Sequence, residues 1–176
     1  MNIFPLAGRA RVFGDDVNTD YIISSTRKKE TIDPLQLREF LLEQLDPGFA
    51  RSVQPGDILV AGSNFGCGSA MEVAVTTVLG AGFNAVIARS FSRTYLRNAM
   101  NNGLLPVIAD TREIAEGDAL RLESGASGAL TLRVGDRCDL PCAPLPPFMR
   151  AMIASGGLIP YLRERGSFTA VNESQM

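Results

Sequence analysis

A chain of 176 residues, 45% hydrophobic and 20% charged, can bury one sizeable core and has the composition of an ordinary globular protein. Its formal net charge of −2 gives no overall basic field for nucleic acid, and the basic run Arg27, Lys28, Lys29 is offset at once by Glu30 and Asp33. There is no histidine, which excludes a Ser–His or Cys–His catalytic pair within the chain and the usual Cys/His zinc sites.

No stretch approaches the ~20 apolar residues of a membrane span. The opening MNIFPLAGRARVFGDD lacks the basic-then-apolar order of a secretory leader. Three cysteines in a chain of this length make no disulfide framework, so the expected compartment is the reducing cytoplasm.

In chain order, a strand is expected over 8–13, followed by the polar turn GDDVNTD and a short apolar run over 21–23, taken as a second strand. The polar stretch SSTRKKET reads as an exposed loop. Asp33-Pro34 is a helix start, with Asp at the cap and Pro in the first turn. Leu35, Leu37, Phe40, Leu41, Leu42 and Leu45 carry its apolar face as far as Asp46-Pro47-Gly48. From Pro55 strands and helices alternate: strands over 57–61, 85–88 and 104–108, helices over 70–79 and 92–100. Short β-α-β crossovers imply parallel strands with right-handed connections. After Asp110 the pattern turns antiparallel, with strands over 119–122 and 129–134. A Pro-rich stretch containing Cys138 and Cys142 leads to a helix over 147–155. The polar end from about 166 is expected to fray. With no repeat and no long linker, residues 1–176 read as a single α/β domain.

Chemistry concentrates in the stretch from Gly62 to Glu72, GSNFGCGSAME, between a strand's end and a helix's start. Open α/β sheets bind ligands at such places, and a helix N-terminus favours anions. Gly66 and Gly68 let backbone approach a ligand with positive φ. A purely structural account stands beside this: Ser69-x-x-Glu72 has the form of a capping box. The loop is neither a P-loop nor a dinucleotide fingerprint. Alone, it says anion site or cap.

The string NFGCGS-x-x-E, with AVIARSFSRTYLRNAMNNGLLPV downstream, strongly resembles the small subunit of 3-isopropylmalate dehydratase, equivalent to the swivelling domain of aconitase. FGDDVNTDYII, PGDILVAG and LPPFMRAMIASGGLIPYL extend the likeness over nearly the whole chain, in order. The resemblance implies a three-layer β/β/α swivelling domain that docks on a large subunit as a heterodimer. It also implies a hydro-lyase activity of leucine synthesis, with a [4Fe-4S] cluster held by three cysteines of that large subunit and none by this chain.

By the same resemblance Ser69 matches the base that takes a proton from the carbon beside a carboxylate, with Gly66 and Gly68 lining the substrate. Asp20 matches a site-orienting aspartate, although turn formation explains it equally. Arg93 matches the arginine of the family's SFAR block, where a structural salt bridge is the preferred alternative. One departure stands out: the family's Gly-Ser-Ser-Arg-Glu is here Gly68-Ser69-Ala70-Met71-Glu72. The arginine that pairs with a substrate carboxylate is Met71, a loss worth roughly 1.5–3 kcal/mol of binding. Arg27 or Lys28, in the segment that reaches over substrate in the family, either replaces it, with Arg27 the first choice, or meets a more polar, charged group; a solvated charge run, and loss without replacement for a substrate lacking charge there, are the alternatives. The related substrates left open are another substituted malate or a homocitrate-like acid, and a non-catalytic binding module of the same fold is the rival from another class.

Overall fold

A computed structural model of the chain describes residues 3–125 and 128–165. The polar end from 166, expected to fray, lies outside the described residues.

In chain order the elements are β1 (Leu6–Val12), α1 (Thr19–Ile22), α2 (Arg27–Glu30), α3 (Pro34–Leu37, continued by a 3-10 turn, Arg38–Phe40), α4 (Phe49–Ser52) and β2 (Ile58–Ala61). Then follow α5 (Glu72–Gly80), β3 (Ala85–Ala88), α6 (Arg93–Asn101), β4 (Leu105–Ile108), β5 (Ala119–Ser124), β6 (Leu130–Val134), β7 (Cys138–Pro141), α7 (Pro147–Ala154) and α8 (Leu158–Arg165).

The strands form one seven-stranded sheet, ordered β4-β3-β2-β1-β5-β6-β7. β1 joins its two halves. Ala10, Arg11 and Val12 pair in parallel with Ile58, Leu59 and Val60 of β2, while Leu6 to Arg9 pair antiparallel with β5. β2, β3 and β4 continue the parallel half, and β5, β6 and β7 the antiparallel half.

Alternation along the strands builds two cores, because successive side chains point to opposite faces. Leu59, Ala61, Val86 and Ala88 face α3, α5 and α6, packing with Leu37, Val75, Val78 and Tyr95. Ile58, Val60, Ala85 and Ile87 face the other way and meet Leu120, Leu122, Leu132 and Val134 from the antiparallel half. That half is therefore folded over the parallel one. The two sheet edges touch at a bridge between Ala109 and Cys142, and the Ala143 N–H reaches the Ile108 carbonyl at 2.8 Å. The layers are helix, parallel strands and antiparallel strands, the expected β/β/α architecture.

Buried charge pins the bottom of β1 to β2. Asp57, its side chain 3% exposed, takes Arg9 at 2.9 Å and Arg11 at 3.1 Å. Burial works against the Asp57 charge, but bonds from Arg9, the Gln54 N–H and Arg11 outweigh it and hold the carboxyl below the usual range.

Several local expectations are corrected. Residues 21–23 close a helical turn rather than a strand, because the Asn18 side chain accepts the Asp20 N–H at 2.9 Å and caps α1. The stretch 24–31 holds the short helix α2. Asp33 does cap α3 through the Leu35 N–H, but the helix stops well before Leu45. Leu42 turns left-handed (φ 57°) and gives its N–H to the Ile22 carbonyl at 3.0 Å, so Leu41 and Leu42 are buried while Leu35 and Leu45 are exposed.

Candidate active site

Three loops meet at the carboxyl ends of β1, β2 and β3: residues 13–18, 62–71 and 89–92. Their contacts fix the glycine-rich loop from both sides. The Gly66 N–H donates to the Val17 carbonyl at 2.8 Å, and the Thr19 N–H donates to the Cys67 carbonyl at 2.8 Å. On the far side the Phe65 N–H reaches the Ser90 carbonyl at 3.0 Å, and the Ser92 hydroxyl donates to the Gly66 carbonyl at 2.6 Å. Asp15 accepts the Ser63 N–H at 2.6 Å and pairs with Arg89. Those two contacts, the backbone one first, hold its carboxyl below the usual range.

Gly66 and Gly68 are required here. Gly66 (φ 74°) lies flat on Tyr95, where a Cβ would come within 2.2 Å of the ring. Gly68 (φ 94°) lies against Asn18, whose Oδ1 would meet a Cβ at 2.3 Å. Both glycines press the loop onto its neighbours, so Ser69 leaves a rigid bend.

Ser69 is exposed, and its carbonyl accepts the Thr19 hydroxyl at 3.0 Å. Its own hydroxyl makes no hydrogen bond among the described residues. The capping box is not formed. α5 starts at Glu72 with Met71 at the cap position in extended conformation and no side-chain cap. Ser69 thus stands two residues before the cap, held there by Thr19. The N–H groups of Glu72 and Val73, the first two of α5, have no acceptor among the described residues, while that of Ala74 bonds the Met71 carbonyl at 3.3 Å. They present partial positive charge next to Ser69, which favours an anionic oxygen.

Asp20 lies at the start of α1 and accepts the Ser25 hydroxyl at 2.7 Å, tying the 24–26 segment to the site. Arg27 grips Glu43 with two hydrogen bonds, 3.0 and 3.2 Å, and lies 3.8 Å over the Phe40 ring. Its guanidinium is also 3.6 Å from Glu30. Lys28 instead turns inward: its ammonium is 2.9 Å from the sulfur of Met71. Of the two cations, Lys28 rather than Arg27 is the one in contact with the side chain at position 71.

Arg93, at the first turn of α6, is exposed and forms no salt bridge among the described residues, so the structural ion pair preferred for it is not found there. Asn18, Thr19, Ser92 and Tyr95 are the residues that sequence reasoning missed. Ser92 was legible as the polar residue directly before a helix, where it accepts the Tyr95 N–H at 3.3 Å. The contacts of Asn18 with Gly68 and of Thr19 with Ser69 span fifty positions and leave no local signal.

Cys67 is free and half-buried, and burial, with Asp16 second, pushes its thiol up, away from a thiolate. Cys138 opens β7 and Cys142 follows it, on a different part of the sheet, and burial pushes the Cys142 thiol up to about 11. Among the described residues no three Cys, His, Asp or Glu side chains gather to hold a metal. The donor set does not fit a three-cysteine cluster on this chain. Nor is any described helix long and apolar enough to cross a membrane.

The sequence and fold have known counterparts. Residues 26–112 match the family of the aconitase C-terminal domain. The 3-isopropylmalate dehydratase small subunit of Moorella thermoacetica is 42% identical over 163 residues, 91% of this chain and 96% of that protein. The methanogen homoaconitase small subunit of Methanocaldococcus jannaschii is 40% identical over 162 residues, covering 91% and 92%. The solved structure of a 3-isopropylmalate dehydratase from that organism superposes with a TM-score of 0.84 at 39% identity, covering 93% of this chain and 96% of that one. With near-complete coverage at this identity, and with the glycine-bounded serine in place, the chain belongs to the family of 3-isopropylmalate dehydratase small subunits, relatives of the aconitase C-terminal domain.

Proposed function

We propose that this chain acts as one swivelling unit, the small subunit of a two-subunit hydro-lyase, and that Ser69 is its catalytic base. The observation that carries the proposal is an exposed Ser69 hydroxyl, unbound among the described residues, at the end of a loop held by Val17, Asn18, Thr19 and Ser92, beside an uncapped helix N-terminus.

A serine hydroxyl is a poor base in water, and its anion must be favoured by the site. Free N–H groups of α5 and the dipole behind them do that without rearrangement. Ser69 removes the proton from the carbon next to a carboxylate as the hydroxyl on the neighbouring carbon leaves as water. The same hydroxyl group returns the proton when water adds to the other carbon, so the hydroxyl changes place and no oxidant is needed. By the family resemblance the acid that protonates the leaving hydroxyl belongs to the partner, in keeping with a chain that has no histidine.

A [4Fe-4S] cluster on the large subunit supplies Lewis-acid chemistry to the substrate hydroxyl and carboxylate. No step in this chain's own residues runs through it. The leading substrate is 3-isopropylmalate, in leucine synthesis, as the names of several relatives have it. The homoaconitase name of another relative makes homocitrate-like acids the second group to assay. Three free thiols suit a cytoplasmic setting.

The test is reconstitution with the cognate cluster-bearing large subunit, anaerobically, followed by turnover of substituted malates and homocitrate-like acids. Interconversion of a hydroxy acid that requires both chains is the expected result. A complex that assembles with its cluster and turns over none of these acids would sink the proposal.

A further inference from the structure

We propose that the cavity between the 3-10 turn Arg38–Phe40, α4 and the end of α5 binds an aliphatic α-amino acid. The cavity holds about 480 Å³, a size that suits a small molecule. Its charged residues are Arg38 and Glu39 on the 3-10 turn and Arg51 on α4. All three are exposed, and among the described residues no hydrogen bond or ion pair engages their side chains. Arg112, Arg133 and Arg137 are also exposed, yet each holds a carboxylate. Here two cations and one anion face a single cavity without meeting, so donors and an acceptor are both left over. Beside them Phe40, Val53 and Ala81 are half-buried, pack on the helix-side core and give the cavity an apolar floor.

The walls are preformed, which spares a ligand the cost of ordering them. The Arg27 guanidinium lies 3.8 Å over the Phe40 ring, and Arg27 is itself held by Glu43. α4 is pinned to β1: the Ser52 carbonyl accepts from Arg11 at 3.1 Å, and the Ser52 hydroxyl donates to the Phe49 carbonyl at 2.8 Å. The end of α5 is pressed against α3, where a Cβ on Gly80 would come within 2.5 Å of the Pro34 carbonyl.

A zwitterion with an apolar side chain satisfies this arrangement. The two guanidiniums take its carboxylate through charge-assisted hydrogen bonds. Glu39 takes its ammonium, and the C-terminal end of α5, at Ala81, adds partial negative charge on the same cavity. The aliphatic side chain then covers Phe40 and Val53. A simple anion would leave Glu39 facing it uncompensated, and an amine would leave both arginines unmatched. The cavity stands at the opposite end of α5 from Ser69, so its occupant need not displace what Ser69 meets.

The experiment is calorimetric titration of the full chain, alone and assembled with its large subunit. The probes share one carbon skeleton: L-leucine, 4-methyl-2-oxopentanoate, which lacks the amino group, and isopentylamine, which lacks the carboxylate; inorganic phosphate is the fourth. Leucine should bind with a Kd of about 0.1–1 mM, and the other probes at least about 10-fold more weakly. Arg38→Ala and Arg51→Ala should each weaken leucine about 10-fold. Glu39→Gln should bring leucine down to the level of the oxo acid and leave the oxo acid unchanged. These side chains are exposed and unengaged, so thermal melts of the variants should match the wild type. No leucine binding up to about 10 mM, equal binding of the oxo acid or phosphate, wild-type affinity in the arginine variants, or loss of binding on assembly would each overturn the proposal.

Discussion

Replacing Ser69 with alanine separates chemistry from structure, because the two effects have different sizes here. The hydroxyl is exposed, makes no hydrogen bond among the described residues and does not cap α5. Loss of a true cap would cost about 0.5–2 kcal/mol. An unengaged surface hydroxyl should cost no more than about 0.5 kcal/mol. For a domain of this size that is a Tm shift of about 1–2 °C. Loss of the base should lower kcat by about 10²–10⁴, or roughly 2.7–5.5 kcal/mol of barrier. Thermal melts of the small subunit and single-turnover kinetics of the reconstituted complex measure both. Near-normal turnover in a folded variant would refute the role given to Ser69. A drop of more than about 4 °C would show that the hydroxyl holds the helix start after all.

Gly66→Ala places a Cβ 2.2 Å from the Tyr95 ring at φ 74°, so it should cost about 1–3 kcal/mol from backbone strain alone and lower turnover by displacing Ser69; denaturant melts with unchanged midpoint would contradict this. Tyr95→Phe removes a buried hydroxyl with no partner among the described residues, and should be neutral or stabilising by about 1 kcal/mol in the same melts. Asp57→Asn leaves Arg9 and Arg11 without their shared carboxylate and should cost about 3–5 kcal/mol at neutral pH. The Asp57 carboxyl is held below its usual range, so its stabilisation is full above about pH 4 and fades as pH falls through the lower folded value. The wild type should lose stability on that acid limb, and Asp57→Asn should flatten it.

The parallel half of the sheet was legible because β2 and β3 are buried throughout, β4 is buried but for Ile108, and all three are bounded by turn residues: β3 is found at 85–88 as expected, and β2 and β4 within one residue of expectation. β7 was not, since its four residues alternate half-buried and exposed and include a proline, which reads as loop. α8 was missed for a related reason, a proline at its third position that suits a first helical turn but resembles a breaker in isolation. The helix expected to run on through Leu45 failed because a long-range bond outbid local periodicity. Leucines at helical spacing specify burial, and the Leu42 N–H was claimed by Ile22 instead.

The site shows the same division between what is local and what is not. Gly66, Gly68 and Ser69 stood out from the chain because left-handed backbone needs glycine and the motif is contiguous. The capping box was equally contiguous and was wrong, because Thr19, fifty residues away, draws the Ser69 carbonyl aside and delays the helix to Glu72. A serine that capped α5 would spend its lone pairs on the N–H groups that, left free, can favour its anion. Pulling Ser69 out of the cap therefore does two things at once: it leaves the hydroxyl unengaged and leaves the helix terminus without a capping side chain. The same logic governs Arg27 and Lys28, neighbours in sequence that Glu43 and Met71 send in different directions. Which of two adjacent cations turns toward Met71 is decided by a carboxylate sixteen residues downstream of Arg27, and no reading of the run itself contains that information.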